Sequence, residues 1–180
     1  RLDQLGATLV VTADHGMNAK HDAAGQPNVV YLQDELDVWF GPGAAHVILP
    51  ITDPYVVHHG ALGSFALVYV TDHGREAEIR ARVAARRGIE TVLSRGEAAT
   101  QYELPADRIG DLVVVAEQAI VIGTSAGKHD LSGLDVPLRS HGGTSEQQVP
   151  LIVNRQLRSP PAKRRWRNFD AFELGLNLAD

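Results

Sequence analysis

A short apolar run, residues 9–11 (LVV), leads directly into residues 12–16 (TADHG), and this junction most constrains the fold. β-Branched residues closed by a glycine are typical of a buried strand. Asp14 and His15 then lie at its carboxyl end, where open α/β sheets place their ligands, and Gly16 allows a sharp turn. A carboxylate and an imidazole are both ligands of Zn²⁺. The tripeptide alone favours an ordinary loop, in which Asp14 caps the next segment, over a metal site.

Composition narrows the function classes. The chain has 180 residues, 44% of them hydrophobic and 22% charged, which is typical of a folded globular protein. The net charge of −5 argues against a general nucleic-acid binder, which would carry a basic face. The sequence contains no cysteine, so disulfides and thiolate metal sites are excluded. Any metal must therefore be held by histidine, aspartate or glutamate.

The same sequence predicts a cytoplasmic protein without a membrane span. No apolar stretch reaches the roughly 20 residues that a transmembrane helix needs, and no signal-peptide pattern is present. The chain begins with Arg1 and reaches its strongest motif after one short segment. We therefore expect a fragment of a longer protein.

Hydrophobic patterning predicts an α/β protein with an α+β insertion. The predicted strands are residues 29–31, 45–49, 64–71, 89–93, 112–116, 119–122 and 149–153, and the predicted helices are 32–40, 75–87, 95–102 and 168–180. The strands at 112–116 and 119–122 are expected to flank a turn. The last helix is expected to turn Phe169, Phe172 and Leu176 inward. The domain prediction is an insertion with its own sheet over residues 45–128, flanked by core segments 1–44 and 129–180.

A second candidate ligand is His141, in the glycine-rich segment 139–145 (RSHGGTS) before a predicted strand. Small neighbours leave its imidazole room to project into a cleft. A lone loop histidine is usually polar surface, and separation in sequence says nothing about contact with Asp14 or His15.

Four stretches together resemble one family: residues 10–22 (VVTADHGMNAKHD), 47–65 (VILPITDPYVVHHGALGSF), 108–118 (RIGDLVVVAEQ) and 138–154 (LRSHGGTSEQQVPLIVN). They are similar to the carboxyl-terminal part of the phosphonoacetate hydrolases, zinc-dependent members of the alkaline phosphatase superfamily. The resemblance implies an alkaline-phosphatase-like α/β core fragment with an inserted α+β cap. The upstream half of that core would lie outside this chain.

The resemblance also implies a site with two Zn²⁺ ions. Asp14 and His15 would bind the zinc that also holds a nucleophilic threonine, and His141 would bind the other. The threonine is expected upstream, so no catalytic residue is assigned within this chain. Lys20 and His59 are weaker candidates for contacts with the substrate. The implied reaction is hydrolysis of the carbon–phosphorus bond of phosphonoacetate, a small phosphonate, to acetate and phosphate.

Several alternatives stay open at this point. The chain would also fit a phosphodiesterase or nucleotide pyrophosphatase of the same superfamily, or a non-catalytic module that binds a metal or a partner. The ligand set would accept Mn²⁺ or Fe²⁺ as well as zinc. Neither nucleic acid nor membrane is expected as a partner, and a homodimer is allowed. An exposed apolar face on the core sheet would support truncation.

Other polar residues have plainer explanations. Lys20 is equally well explained as a solvated loop lysine. His58 and His59 should point to opposite faces of an extended segment, so at most one would reach a cleft. Asp72 and His73 repeat the Asp-His-Gly pattern, but we expect Asp72 to cap a helix.

Overall fold

A computed structural model describes residues 1–51, 62–158 and 165–179, which form two compact units. The terminal unit joins Arg1–Gly16 to Glu146–Asp180, and the central unit is Met17–Ser145. These limits differ from the predicted cap boundaries at 44/45 and 128/129, which stay a prediction. None of the described helices is long and apolar enough to cross a membrane.

The secondary structure follows the predicted order closely. The strands are β1 Val10–Thr12, β2 Asn18–Ala19, β3 Val29–Tyr31, β4 Ala45–Ile48, β5 Phe65–Val70, β6 Ile89–Ser94, β7 Leu112–Ala116, β8 Val121–Gly123, β9 Arg139–Ser140 and β10 Leu151–Val153. The helices are α1 Leu32–Phe40, α2 Glu76–Ala84, α3 Arg95–Tyr102 and α4 Ala171–Glu173, the last continued by a π turn at Leu174–Leu178. Only the short β2 and β9 were not predicted, because they lie in polar and glycine-rich sequence.

The central unit is built on a four-stranded antiparallel sheet with the order β4-β5-β7-β6. Alternate residues of β7 enter opposite cores: Leu112 and Val114 pack with α1 and α2, and Val113 and Val115 pack with α3. Because both faces of the sheet are covered, every residue of β7 is buried, which explains its unbroken apolar sequence.

The segments at 112–116 and 119–122 flank a turn, as predicted, and the Ile120 N–H donates to the carbonyl of Glu117 across it at 2.9 Å. The two strands do not pair with each other. Both edges of β7 are already occupied by β5 and β6. β8 instead pairs in parallel with β3, with Val29 opposite Val121. β2 pairs with β9 in the same unit, with Asn18 opposite Ser140.

In the terminal unit, β1 and β10 form an antiparallel pair, with Val11 opposite Ile152. The prediction that Phe169, Phe172 and Leu176 face inward was wrong, since all three are exposed. Leu174 is buried instead. The segment changes from 3₁₀ to α to π winding, so a single period of 3.6 residues does not describe which side chains face the core.

Candidate metal centre

Asp14 and His15 follow β1 and bring two ligand atoms close together. Asp14 Oδ2 lies 3.7 Å from His15 Nε2, and Asp14 Oδ1 accepts a hydrogen bond from the His15 backbone N–H at 3.0 Å. In a tetrahedral zinc site, two ligand atoms that each lie about 2.1 Å from the ion are about 3.4 Å apart. The donor types and their separation therefore fit a shared zinc ion.

The ring orientation of His15 has a local cause. Its Nδ1 lies 2.8 Å from the carbonyl oxygen of Gly16, which accepts a hydrogen bond when Nδ1 carries the proton. That tautomer leaves the lone pair of Nε2 directed away from the backbone. Metal-binding histidines usually have their second ring nitrogen held in this way, because the acceptor fixes both tautomer and ring orientation.

The turn after His15 is held by backbone contacts within the terminal unit. Gly16 N–H donates to the carbonyl of Glu146 at 2.7 Å, and Asn168 Nδ2 donates to the carbonyl of Ala13 at 3.2 Å. A Cβ on residue 16 would lie only 3.3 Å from the same Glu146 carbonyl oxygen. A side chain at this position would crowd the Glu146 backbone, so glycine favours the close approach of the two segments.

His141 belongs to the central unit, at the end of β9. Its carbonyl accepts from Ser64 N–H at 2.8 Å, and Ser140 Oγ donates to the carbonyl of Leu62 at 2.5 Å. Gly142 has a φ of +103°, and a Cβ there would overlap Ile51. The backbone of the His141 segment is thus fixed by its neighbours. Its sharing of a metal centre with Asp14 and His15 stays a prediction from the resemblance.

The structure describes only one of the two weaker candidates for contacts with the substrate, Lys20 and not His59. Lys20 is completely buried, so its explanation as a solvated loop lysine was wrong. Its Nζ donates to Ser64 Oγ at 2.7 Å and to the carbonyl of Gln118 at 2.6 Å. A contact between Lys20 and substrate stays an untested prediction. His58 and His59 lie outside the residues that the structure describes.

A further group of metal-ligand types occurs in the central unit. His73, Glu76 and Asp111 each offer a ligand atom, all within 4.8 Å of one another. Asp111 already accepts from Val70 N–H at 2.8 Å and pairs with Arg95 at 2.7 Å, which reduces its capacity to bind a cation.

Sequence reasoning missed this group because the third member is distant in the chain. The repeated Asp-His-Gly pattern drew attention only to Asp72 and His73. The prediction for Asp72 is confirmed, since its Oδ1 accepts from Gly74 N–H at 3.0 Å and caps the turn before α2.

Solved structures provide the strongest comparison. Phosphonoacetate hydrolase from Sinorhizobium meliloti 1021, in a crystal structure with phosphonoacetate, superposes with a TM-score of 0.90 and 58% identity. The match covers 99% of this chain and 43% of that chain. The same enzyme crystallised with phosphonoformate gives the same values. This chain therefore spans less than half the length of the enzyme that it matches.

More distant matches agree on the fold. Human ectonucleotide pyrophosphatase/phosphodiesterase 5 superposes with a TM-score of 0.56 at 18% identity, over 96% of this chain and 41% of that chain. No family model matches the sequence. Phosphonoacetate hydrolase from Penicillium oxalicum is 68% identical over 31 residues, which are 17% of this chain and 43% of that sequence. This chain is therefore similar, at 58% identity across nearly its whole length, to part of the Sinorhizobium phosphonoacetate hydrolase, and it has an alkaline-phosphatase-like fold.

Proposed function

We propose that this chain contributes metal ligands to an enzyme that hydrolyses the carbon–phosphorus bond of phosphonoacetate, giving acetate and phosphate. The observation that carries the proposal is the convergence of Asp14 Oδ2 and His15 Nε2, 3.7 Å apart, in a chain 58% identical to an enzyme crystallised with phosphonoacetate. Asp14 and His15 would hold one zinc ion and His141 a second.

Zinc would supply positive charge to stabilise the phosphoryl oxygens and to favour an ionised nucleophile. The protein's task is to hold its ligands in the correct state and direction. Asp14 contributes a negative oxygen donor at the end of β1. His15 presents Nε2 because Gly16 holds Nδ1. His141 contributes a neutral nitrogen donor from a segment whose carbonyl is bound by Ser64.

The attacking group in this proposal lies outside the chain. Thr124 and Ser125 carry hydroxyl groups that could be mistaken for nucleophiles, but Thr124 Oγ1 and its backbone N–H both contact His129 Nε2, at 3.1 and 3.0 Å. His129 therefore closes a turn after β8. We assign the nucleophile to a threonine in the part of the Sinorhizobium enzyme that this chain does not match.

The test is phosphate release from phosphonoacetate with added Zn²⁺. The 180-residue chain is compared with a completed form, in which the remaining part of the Sinorhizobium enzyme is joined to this chain. We expect activity only in the completed form, and its loss in the Asp14→Ala and His141→Ala variants. Asp72→Ala is the matched control, because Asp72 belongs to a similar tripeptide that caps a helix; it should retain activity.

Other outcomes would identify a rival function. Activity in the 180-residue chain alone would mean that the nucleophile lies within it and that our assignment is wrong. Turnover of a nucleotide diester in place of phosphonoacetate would favour a phosphodiesterase. Zinc binding without turnover of either substrate would favour a binding module.

Three further features stay proposals from the sequence. They are a cytoplasmic location, a homodimer and a cap domain over residues 45–128. Zinc is preferred over Mn²⁺ and Fe²⁺ on the resemblance alone. Metal analysis of the purified completed form would test this preference, since a dominant manganese or iron content would contradict it.

A further inference from the structure

We infer that Lys20 is a positioning residue for His141, acting through Ser64. The inference rests on the proposed function, because it treats His141 as a metal ligand. It assigns to Lys20 a role different from contact with the substrate. All the residues involved lie in the central unit.

Lys20 is placed inside the unit rather than at its surface. It directly follows β2, and its backbone N–H donates to the carbonyl of Leu138 at 2.8 Å, which extends the pairing of β2 with β9. Its side chain has no exposed surface, and its Nζ reaches Ser64 Oγ at 2.7 Å. Burying an ammonium group costs free energy that a methionine of similar length would not cost. The charge therefore needs an explanation beyond packing.

Ser64 connects this ammonium group to the His141 segment. The Ser64 hydroxyl donates its single proton to the carbonyl of Ile120 at 2.6 Å, so Oγ is an acceptor toward Lys20 Nζ. Ser64 N–H donates to the carbonyl of His141 at 2.8 Å, and the Ser64 carbonyl accepts from Ala116 N–H at 2.9 Å. The buried lysine thus fixes a residue whose backbone binds the candidate ligand.

His141 needs such support because glycines follow it. Gly142 and Gly143 give the backbone more freedom than other residues would, and β9 is only two residues long. A ligand must be held within about 0.5 Å of its working position to bind metal well. The bond from Ser64 to the His141 carbonyl restrains the segment directly before these glycines.

The first test measures this restraint without metal. Amide hydrogen exchange of the 180-residue chain is followed by NMR for wild type, Lys20→Met and Ser64→Ala. We expect the Ser64 amide to exchange at least about tenfold faster in Lys20→Met, with the Val114 amide of β7 unchanged. Ile79→Val is the control, because Ile79 is fully buried elsewhere in the same unit. Unchanged exchange of the residue-64 amide in Lys20→Met would overturn the inference, whatever the result for Ser64→Ala.

The second test connects the restraint to the metal. Zinc affinity of the completed form is measured for Lys20→Met, His141→Ala and the double variant. Loss of a group that orients a ligand typically weakens metal binding about 10- to 100-fold. We expect a loss in that range for Lys20→Met and no additional loss in the His141→Ala background, because Lys20 acts through His141.

The outcomes separate the inference from the proposed function. If His141→Ala leaves zinc affinity unchanged, His141 is not a ligand, and the inference fails together with that part of the proposed function. If His141→Ala weakens zinc binding but Lys20→Met leaves zinc affinity unchanged, only the inference fails. Equal effects of Lys20→Met in both backgrounds would show a general structural role and would also overturn it.

Discussion

The central and terminal units differ in how far the apolar residues of their strands are buried. In the central unit, the sheet is covered on both faces and the residues of β7 and β8 are buried. In the terminal unit, the cross-strand pair Val11 and Ile152 is 55% and 59% exposed. Phe172 and Leu176 near the carboxyl end are exposed further, at 76% and 80%.

Among the residues that the structure describes, the buried apolar clusters lie in the central unit. The central unit buries two apolar clusters against its sheet, so its strands are stabilised by contacts within the unit. The terminal unit presents Val11 and Ile152 on the same face of a two-stranded pair. An apolar sheet face is typical of a surface on which further structure packs.

The largest effect should distinguish two isoleucines in strands. Ile122 is fully buried in β8, whereas Ile152 is mostly exposed in β10. We expect Ile122→Ala to lower the free energy of unfolding by about 2–5 kcal/mol, and Ile152→Ala by less than about 0.5 kcal/mol. Urea denaturation of the 180-residue chain measures both. Equal losses would show that the comparison between the units is wrong.

A charged substitution sharpens the same comparison. Ile152→Asp should be tolerated in the 180-residue chain, because the side chain already lies in solvent. In the completed form we expect a loss of about 3 kcal/mol or more, since packing on this face would bury an unpaired carboxylate. Thermal unfolding of the two forms tests this difference. A tolerated aspartate in both forms would mean that the face stays exposed.

Removal of an ion pair should also cost more stability in the central unit than in the terminal unit, with a smaller difference than for the isoleucines. In the central unit Arg86 binds Glu35 through two nitrogens, at 3.0 Å from Nε and 2.7 Å from Nη2, and hydrogen bonding to Glu35 raises the Arg86 pKa. We expect Glu35→Gln to cost about 1–2 kcal/mol, because the pair is half-buried and bidentate. Asp3→Asn removes the 3.3 Å pair with Arg155 in the terminal unit and should cost at most about 0.5 kcal/mol. The reverse order in chemical denaturation would contradict this ranking.

The smallest effect should appear in acid, at the start of α3. Glu97 accepts from the backbone and hydroxyl of Ser94 and pairs with Arg80, and these contacts, the Ser94 backbone first, lower its pKa from 4.5 to about 2. Because the folded-state pKa is the lower one, this stabilisation is present above pH 4.5 and disappears as the pH falls toward 2.

The Glu97→Gln substitution removes this pH-dependent stabilisation. We expect the variant to lose less stability than wild type between these two pH values, with the change confined to the central unit. Acid titrations followed by circular dichroism measure this loss of stability. Glu78→Gln, on α2, is the exposed control. Identical acid profiles for wild type and Glu97→Gln would contradict the prediction.

Local sequence determined most elements of the fold and part of the site. The spans of α1 and α3 agree with prediction residue for residue, because apolar spacing and boundary signals act within a few positions. Asp14 and His15 were found as neighbours at a strand end for the same reason. The capping role of Asp72 also follows from adjacent residues.

Tertiary structure determined the strand pairing, burial and exposure that depend on segments distant in the chain. The parallel pairing of β3 with β8, the burial of Lys20 against Ser64, and the exposure of Phe172 each depend on residues far away in the chain. Periodicity carries no information on which edge of a strand is already occupied, or on which polar group will meet a buried ammonium. These choices are made by packing and hydrogen-bond satisfaction across the whole unit, and that is why only the folded chain reveals them.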